Sequence, residues 1–125
     1  MCSEFVVEGS NKPFNIVHRC YFFAKEVTRF VKSQKISPVY FSGYSQLIRS
    51  ATSIGANLVE GRAGGSRKDW RNFIGIALKS ANETKYWLCL LRDSMDVPKE
   101  RVEKLLSEAI EISKMLGSIM VKSKS

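Results

Sequence analysis

The chain predicts an all-α fold, an antiparallel up-down-up-down four-helix bundle, and three observations carry that prediction. Apolar residues recur at three- and four-residue spacing through four long stretches. The breaks between those stretches are short and built from Ser, Pro, Gly and Asp, which suits antiparallel neighbours. Finally, 125 residues suit a single domain with one sizeable core. The expected layout is an N-terminal extension at 1–14, the bundle at 15–120 and a basic C-terminal tail at 121–125.

The first helix is expected from about Asn15 to Gln34, with Asn15 as N-cap behind Pro13 and a break at Ser37-Pro38. At 100° per residue, Ile16, Cys20, Phe23, Val27, Phe30 and Val31 share one side, and Lys25, Arg29 and Lys32 gather opposite them. The second helix is expected from Ser42 or Ser45 to Gly61, where glycine is a natural stop. Its core candidates are Leu47, Ile48, Ala51, Ile54 and Leu58, while Ser50, Ser53, Gly55 and Ala56 leave a nearly flat surface for close approach. The third begins at Ser66, an N-cap with Asp69 three residues on, and reaches about Ser94. Trp70, Phe73, Ala77, Ala81, Thr84, Leu88 and Leu91 form its stripe, with Arg67, Arg71, Lys85 and Arg92 alongside. The fourth starts after Asp96-Val97-Pro98 and runs to about Met120 on Val102, Leu105, Leu106, Ala109, Ile112, Met115, Leu116 and Ile119. The one extended piece expected is Glu4 to Glu8.

Charge is the strongest bulk property. The net value is +8, and residues 12–92 hold 14 Lys or Arg against 4 acids, whereas residues 93–125 hold 6 of each. A cationic excess confined to three quarters of the fold favours a polyanionic partner through counterion release. No apolar run approaches the roughly 20 residues of a membrane helix, so no membrane partner is expected. The start of the chain lacks the basic and apolar regions of a signal peptide. Three cysteines, Cys2, Cys20 and Cys89, without CxxC spacing argue against a disulfide framework or zinc site and for a cytoplasmic home.

Chemistry is scarce. His18 is the one histidine, with no Glu-x-x-His pattern for a metal and no preceding arginine to make the Arg-His pairing of helical ribonucleases. Gly61-Arg62-Ala63-Gly64-Gly65 lacks the Gly-Lys-Ser/Thr ending of a phosphate loop and follows a helix instead of a strand. Neither a metal nor a cofactor is expected. Glu60, Asp69 and Glu83 do not converge on their helices as nuclease carboxylates would. Arg49, Ser53, Asn57 and Glu60, with Ser66 and Asp69 across the loop, instead predict a structural polar latch in which Glu60 and Asn57 receive helix-end N–H groups or pair with Arg62.

These same residues carry a family resemblance. Arg49, then Ser53-Ile54-Gly55-Ala56-Asn57-Leu58-Val59-Glu60-Gly61, then Ser66, Asp69, Phe73, Ala77, Ser80 and Glu83 resemble the signature of the four-helix bundle proteins encoded in intervening sequences of bacterial 23S ribosomal RNA genes. That family includes the accessory variability proteins of diversity-generating retroelements. The resemblance implies a homopentameric ring without known catalysis and, in the retroelement branch, a basic protein that binds nucleic acid and a reverse transcriptase. Gly55 stands where proline is common, Val59 where alanine is common, and Asn82-Glu83-Thr84 departs from a Glu-Leu-Glu-like run, which leaves the branch open.

The expected function is therefore a non-enzymatic oligomer that binds RNA or DNA, in one branch an accessory to a reverse transcriptase. Its expected electrostatic surface is Lys25, Arg29, Lys32, Arg67, Lys68, Arg71, Lys79, Lys85 and Arg92. The alternative is a structural or protein-interaction subunit that touches no nucleic acid. Aromatic residues interleave weakly with the basic ones, so backbone contact is expected over base stacking.

Overall fold

The structure, a computed structural model, describes residues 15–123. The extended piece expected at Glu4 to Glu8 lies outside the described residues. Helix α1 spans Ile16–Ser33, α2 Phe41–Ala63, α3 Arg67–Ser94 and α4 Lys99–Lys122. Each helix packs on its sequence neighbours, with α4 closing against α1, and the diagonal pairs make no close backbone approach. Cross-helix pairs fix the antiparallel directions: Arg62 with Asn15, Ser53 with Ser80, Arg92 with Glu103, and Arg19 with Glu108. This is the up-down-up-down bundle that the four apolar stripes predict.

The ends follow local chemistry. Asn15 caps α1 through its side-chain oxygen, 2.8 Å from the Val17 N–H, and Ser66 caps α3 by accepting from Asp69 N–H at 3.0 Å. Between α1 and α2, Pro38–Tyr40 forms a 3-10 turn, so α2 begins at Phe41, ahead of the expected serines. Proline at the first position presets the dihedral that starts this turn. Gly61 is not the stop of α2; the helix continues to Ala63, and the chain turns at Gly64 and Gly65, the latter with φ 75°. Gly61 serves another purpose: a Cβ there would lie 2.9 Å from Phe73 Cβ, so its bare backbone sets the approach of α2 to α3. Helix α4 passes Met120 and ends at Lys122.

The core runs the length of the bundle through Phe23, Val27 and Phe30 of α1, Leu47, Ile54 and Leu58 of α2, Ile74 and Leu88 of α3, and Val102, Ile112 and Leu116 of α4. Full burial of such a side chain contributes about 1.5–3 kcal/mol each, which makes the apolar stripes the main cohesive element. Ile74, not Phe73, points inward on α3, and Trp70, Met115 and Ile119 are only partly buried. At this end of α3 the inward stripe lies one residue beyond its expected place, and Phe73 faces α2 beside Gly61. The α2–α3 seam is lined by small residues and hydroxyls. Ser50 and Thr84 meet at 2.9 Å, Ser53 and Ser80 at 2.9 Å, and Thr84 also donates to the Ser80 carbonyl at 2.7 Å. No described buried side-chain polar atom lacks a hydrogen bond.

Candidate nucleic-acid interface

The α1 cations form one row. Lys25, Arg29 and Lys32 recur at four- and three-residue spacing on the side of α1 away from Phe23, Val27 and Phe30. Lys25 Nζ lies 4.2 Å from the centre of the Phe22 ring, and Arg29 reaches Glu26 at 3.2 Å. That ion pair is largely exposed, so it holds Arg29 weakly and leaves it open to exchange with an outside anion. The row edges a groove of about 570 Å³ between α1 and α2, whose floor includes Ala24, Gly55, Ala56 and Val59. Gly55 permits this shape: a Cβ there would meet Cys20 Cβ at 3.3 Å.

The six α3 cations do not make one surface. Arg67 and Lys68 are exposed at the helix start, beside the Gly64-Gly65 turn. Arg71 donates to Ser123 Oγ at 3.2 Å and Lys85 to Ser113 Oγ at 3.3 Å, so both lean on α4. Arg92 is bound to Asp93 at 2.8 Å and Glu103 at 3.2 Å, and the hydrogen bond to Asp93, with the charge beside it, raises its already high pKa. Its charge is locally balanced. Lys79 is exposed and, at 100° per residue, lies further round the helix than Lys85.

The latch residues divide among separate contacts instead of forming one network. Asn57 donates to the Ser53 carbonyl at 2.8 Å and Ser53 Oγ at 2.9 Å, and Ser53 continues to Ser80 on α3. Arg49 pairs with Glu83, whose Oε2 also accepts from Trp87 Nε1 at 2.9 Å. The hydrogen bond from Trp87, then that from Arg49, holds the Glu83 carboxyl below its ordinary range. Ser66 and Asp69 meet only in the α3 cap. Glu60 is exposed, and Arg62 turns instead to Asn15 Oδ1 at 3.1 Å, tying the end of α2 to the start of α1.

Two pairings are absent from the sequence reading. Glu83 completes the Arg49 link, and its four-residue spacing to Trp87 is an available signal. Arg19 binds Glu108 through two nitrogens, both at 2.8 Å, a fork-to-fork pairing of α1 with α4 that no single-helix pattern announces. Among the described residues no group of His, Cys, Asp and Glu is placed to hold a metal ion, and no helix is long and apolar enough to cross a membrane.

A square, antiparallel bundle with a hydroxyl-lined α2–α3 seam and a cationic row outside its core defines a small basic helical-bundle protein. The chain belongs to the 23S rRNA-intervening sequence protein family, whose model matches residues 12–118. It is also similar to the crystal structure of a protein of unknown function from the S23 ribosomal protein family of Bacteroides thetaiotaomicron VPI-5482. The two share 36% identity with a TM-score of 0.74, over 85% of this chain and 98% of that one. No curated protein matches the chain.

Proposed function

We propose that this is a non-enzymatic, cytoplasmic protein that binds RNA or DNA through the phosphate backbone, assembles as a homopentameric ring, and acts as an accessory to a retroelement reverse transcriptase. The observation that carries the nucleic-acid reading is the α1 row: Lys25, Arg29 and Lys32 share one exterior face and, among the described residues, have no buried counter-charge. Arg67 and Lys68 supply a second exposed pair. Arg71 and Lys85 add charge nearer α4, and Arg92 contributes least because two carboxylates already satisfy it. A ring would repeat the row by symmetry and raise its effective concentration along a strand. The reverse-transcriptase role rests on the family resemblance and is tested by co-purification with a reverse transcriptase from the same genome.

Replacing Lys25, Arg29 and Lys32 with glutamine should preserve helicity and weaken binding to all sequences alike. The slope of log affinity against log salt should flatten by about 0.7–0.9 for each phosphate that is no longer neutralised. An unchanged slope in a folded triple variant would make these charges solvating surface. Light scattering that finds only the 14.1 kDa monomer at micromolar concentration would remove the ring. The alternative, a protein-interaction subunit, draws on a different observation. Val39, Tyr40, Phe41 and Leu90 are exposed together, and the first three are consecutive. Exposed apolar clusters of this kind mark protein contacts.

A further inference from the structure

The α1–α2 groove joins two properties that one ligand must match. Its floor of Ala24, Gly55, Ala56 and Val59 is apolar and low, with Val59 44% exposed, and its edge carries Lys25, Arg29 and Lys32. A duplex keeps its bases inside, so it would satisfy the edge with phosphate and leave the floor wet. A single strand satisfies both, because it carries a row of charges along one side and open, flat base faces along the other.

We infer that the groove binds single-stranded nucleic acid, with phosphates on the Lys25–Arg29–Lys32 row and bases turned onto the apolar floor. The inference rests on the nucleic-acid reading and deepens it, since it names the strand state that this site selects.

Three features of the groove fit this occupant. The first is Tyr21, which lines the groove together with Lys25, Thr28 and Lys32. At 100° per residue these four lie within about 60° of one another along α1, with Tyr21 one turn from Lys25. The Tyr21 ring is half-buried and stands edge-on to Phe22, with centroids 5.8 Å apart and planes at 86°. An aromatic face beside a cationic row is the arrangement that holds single strands of any sequence. The second is the flatness of the floor. A Cβ at Gly55 would meet Cys20 Cβ at 3.3 Å, so α2 lies close against α1 there, and the neighbouring Ala56 raises only a methyl. A planar base can lie on such a surface. The third is size: Lys25 to Lys32 spans about 10 Å along the helix, roughly the rise of three nucleotides in one stacked strand. The groove, at about 570 Å³, falls in the range of small-molecule clefts, wide enough for bases and too small for a duplex. The sequence alone conceals the pairing, because only the packing of α1 on α2 turns Tyr21 and the cations toward one groove.

Three probes of equal length supply the test: an oligothymidine strand, the same strand with abasic sugars, and oligothymidine paired with oligoadenosine. At one salt concentration the protein should hold oligothymidine about 5–10-fold tighter than the abasic strand, the effect of stacking one base. It should also prefer oligothymidine to the duplex. Tyr21→Leu and Ala56→Leu keep every charge, and Ala56 is exposed, so its replacement fills the groove without entering the core. Each should bring oligothymidine affinity toward the abasic value and leave abasic binding unchanged. A strand carrying iododeoxyuridine should photocrosslink to Tyr21. Equal affinity for oligothymidine and the abasic strand, or preference for the duplex, overturns the inference and leaves the backbone reading standing. Failure to bind any of the three probes removes the nucleic-acid reading itself. Crosslinks confined to the exposed Tyr40, Phe41 or Tyr86 place the bases elsewhere and overturn the groove. An Ala56→Leu protein that folds but loses its oligomeric state assigns the groove to a second copy of the chain, which also overturns it. The comparison of probes on the unaltered protein needs no substitution, so it decides the matter even where a variant fails to fold.

Discussion

Replacing Gly61 with alanine sets two effects of known size against each other. In an unobstructed helix, alanine is favoured over glycine by about 1 kcal/mol. At Gly61 the added methyl would lie 2.9 Å from Phe73 Cβ and 3.1 Å from Trp70 Cε3. The first contact is the graver one, because Phe73 Cβ is fixed to the α3 backbone and cannot swing aside. Relief requires α2 and α3 to separate locally along their hydroxyl-paired seam. Overpacking of this kind costs about 1–3 kcal/mol. The contact distance places Gly61→Ala in the upper part of that range, for a net loss of about 1–2 kcal/mol after the propensity gain. Gly117 in α4 is the matched control: nothing lies within 4 Å of a Cβ there, so Gly117→Ala should gain about 0.5–1 kcal/mol. Thermal and urea unfolding, repeated at several protein concentrations to separate assembly from folding, reads both. A Gly61→Ala protein that melts at or above wild type would refute the close-approach explanation of this glycine.

Thr84→Val, which keeps shape but loses the hydroxyl, should cost about 1 kcal/mol, and less in a Ser50→Ala background because the two hydroxyls share a hydrogen bond; a double-mutant cycle in urea measures the difference. Burial pushes the Cys20 thiol up from 9.0 to about 12. It stays protonated in the fold while the unfolded thiol ionises, so its contribution is intact below about pH 9 and declines as pH rises toward 12. Tyr44, raised by burial, acts in the same direction, and Cys20→Ala should soften the alkaline loss in a pH series of melts. Native-state alkylation should spare Cys20. Glu83 behaves oppositely: its lowered pKa gives a contribution present above the ordinary 4.5 and lost as pH falls through the lower folded value. Glu83→Gln should flatten the acid limb of the same series, by a modest amount because the carboxyl is about a third exposed and solvent screens the pair.

Features contained within one helix are legible in the sequence. Asn15 and Ser66 announce caps because their side chains act on N–H groups two or three residues away. The apolar stripes of α1 and α4 follow from periodicity alone. Misreadings arise where a second helix decides. Gly61 has the look of a helix stop, and only α3 reveals it as a contact point. Phe73 fits the inward stripe by spacing, yet it sits against Gly61 of α2 and Ile74 takes the core position. The charges behave similarly: Lys25, Arg29 and Lys32 form a row because one helix sets their spacing, whereas the balancing of Arg92 depends on Glu103 of α4. The Pro38–Tyr40 turn is not legible because three residues give too little pattern to read.

The paired hydroxyls between α2 and α3 also determine which bundle this sequence refuses to form. Apolar contacts are tolerant, and α3 shifted by one turn along α2 could still bury leucine and alanine. That shift would pull Thr84 from Ser50 and Ser80 from Ser53, leaving the buried Ser50 and Thr84 hydroxyls with only the carbonyls of their own helices. Wrong alignments are thus penalised at two levels of the same interface, and Gly61 adds a steric notch that accepts Phe73 only in the native alignment. The polarity that looks wasteful within a hydrophobic bundle works as a key, excluding near-miss structures that apolar packing alone would tolerate.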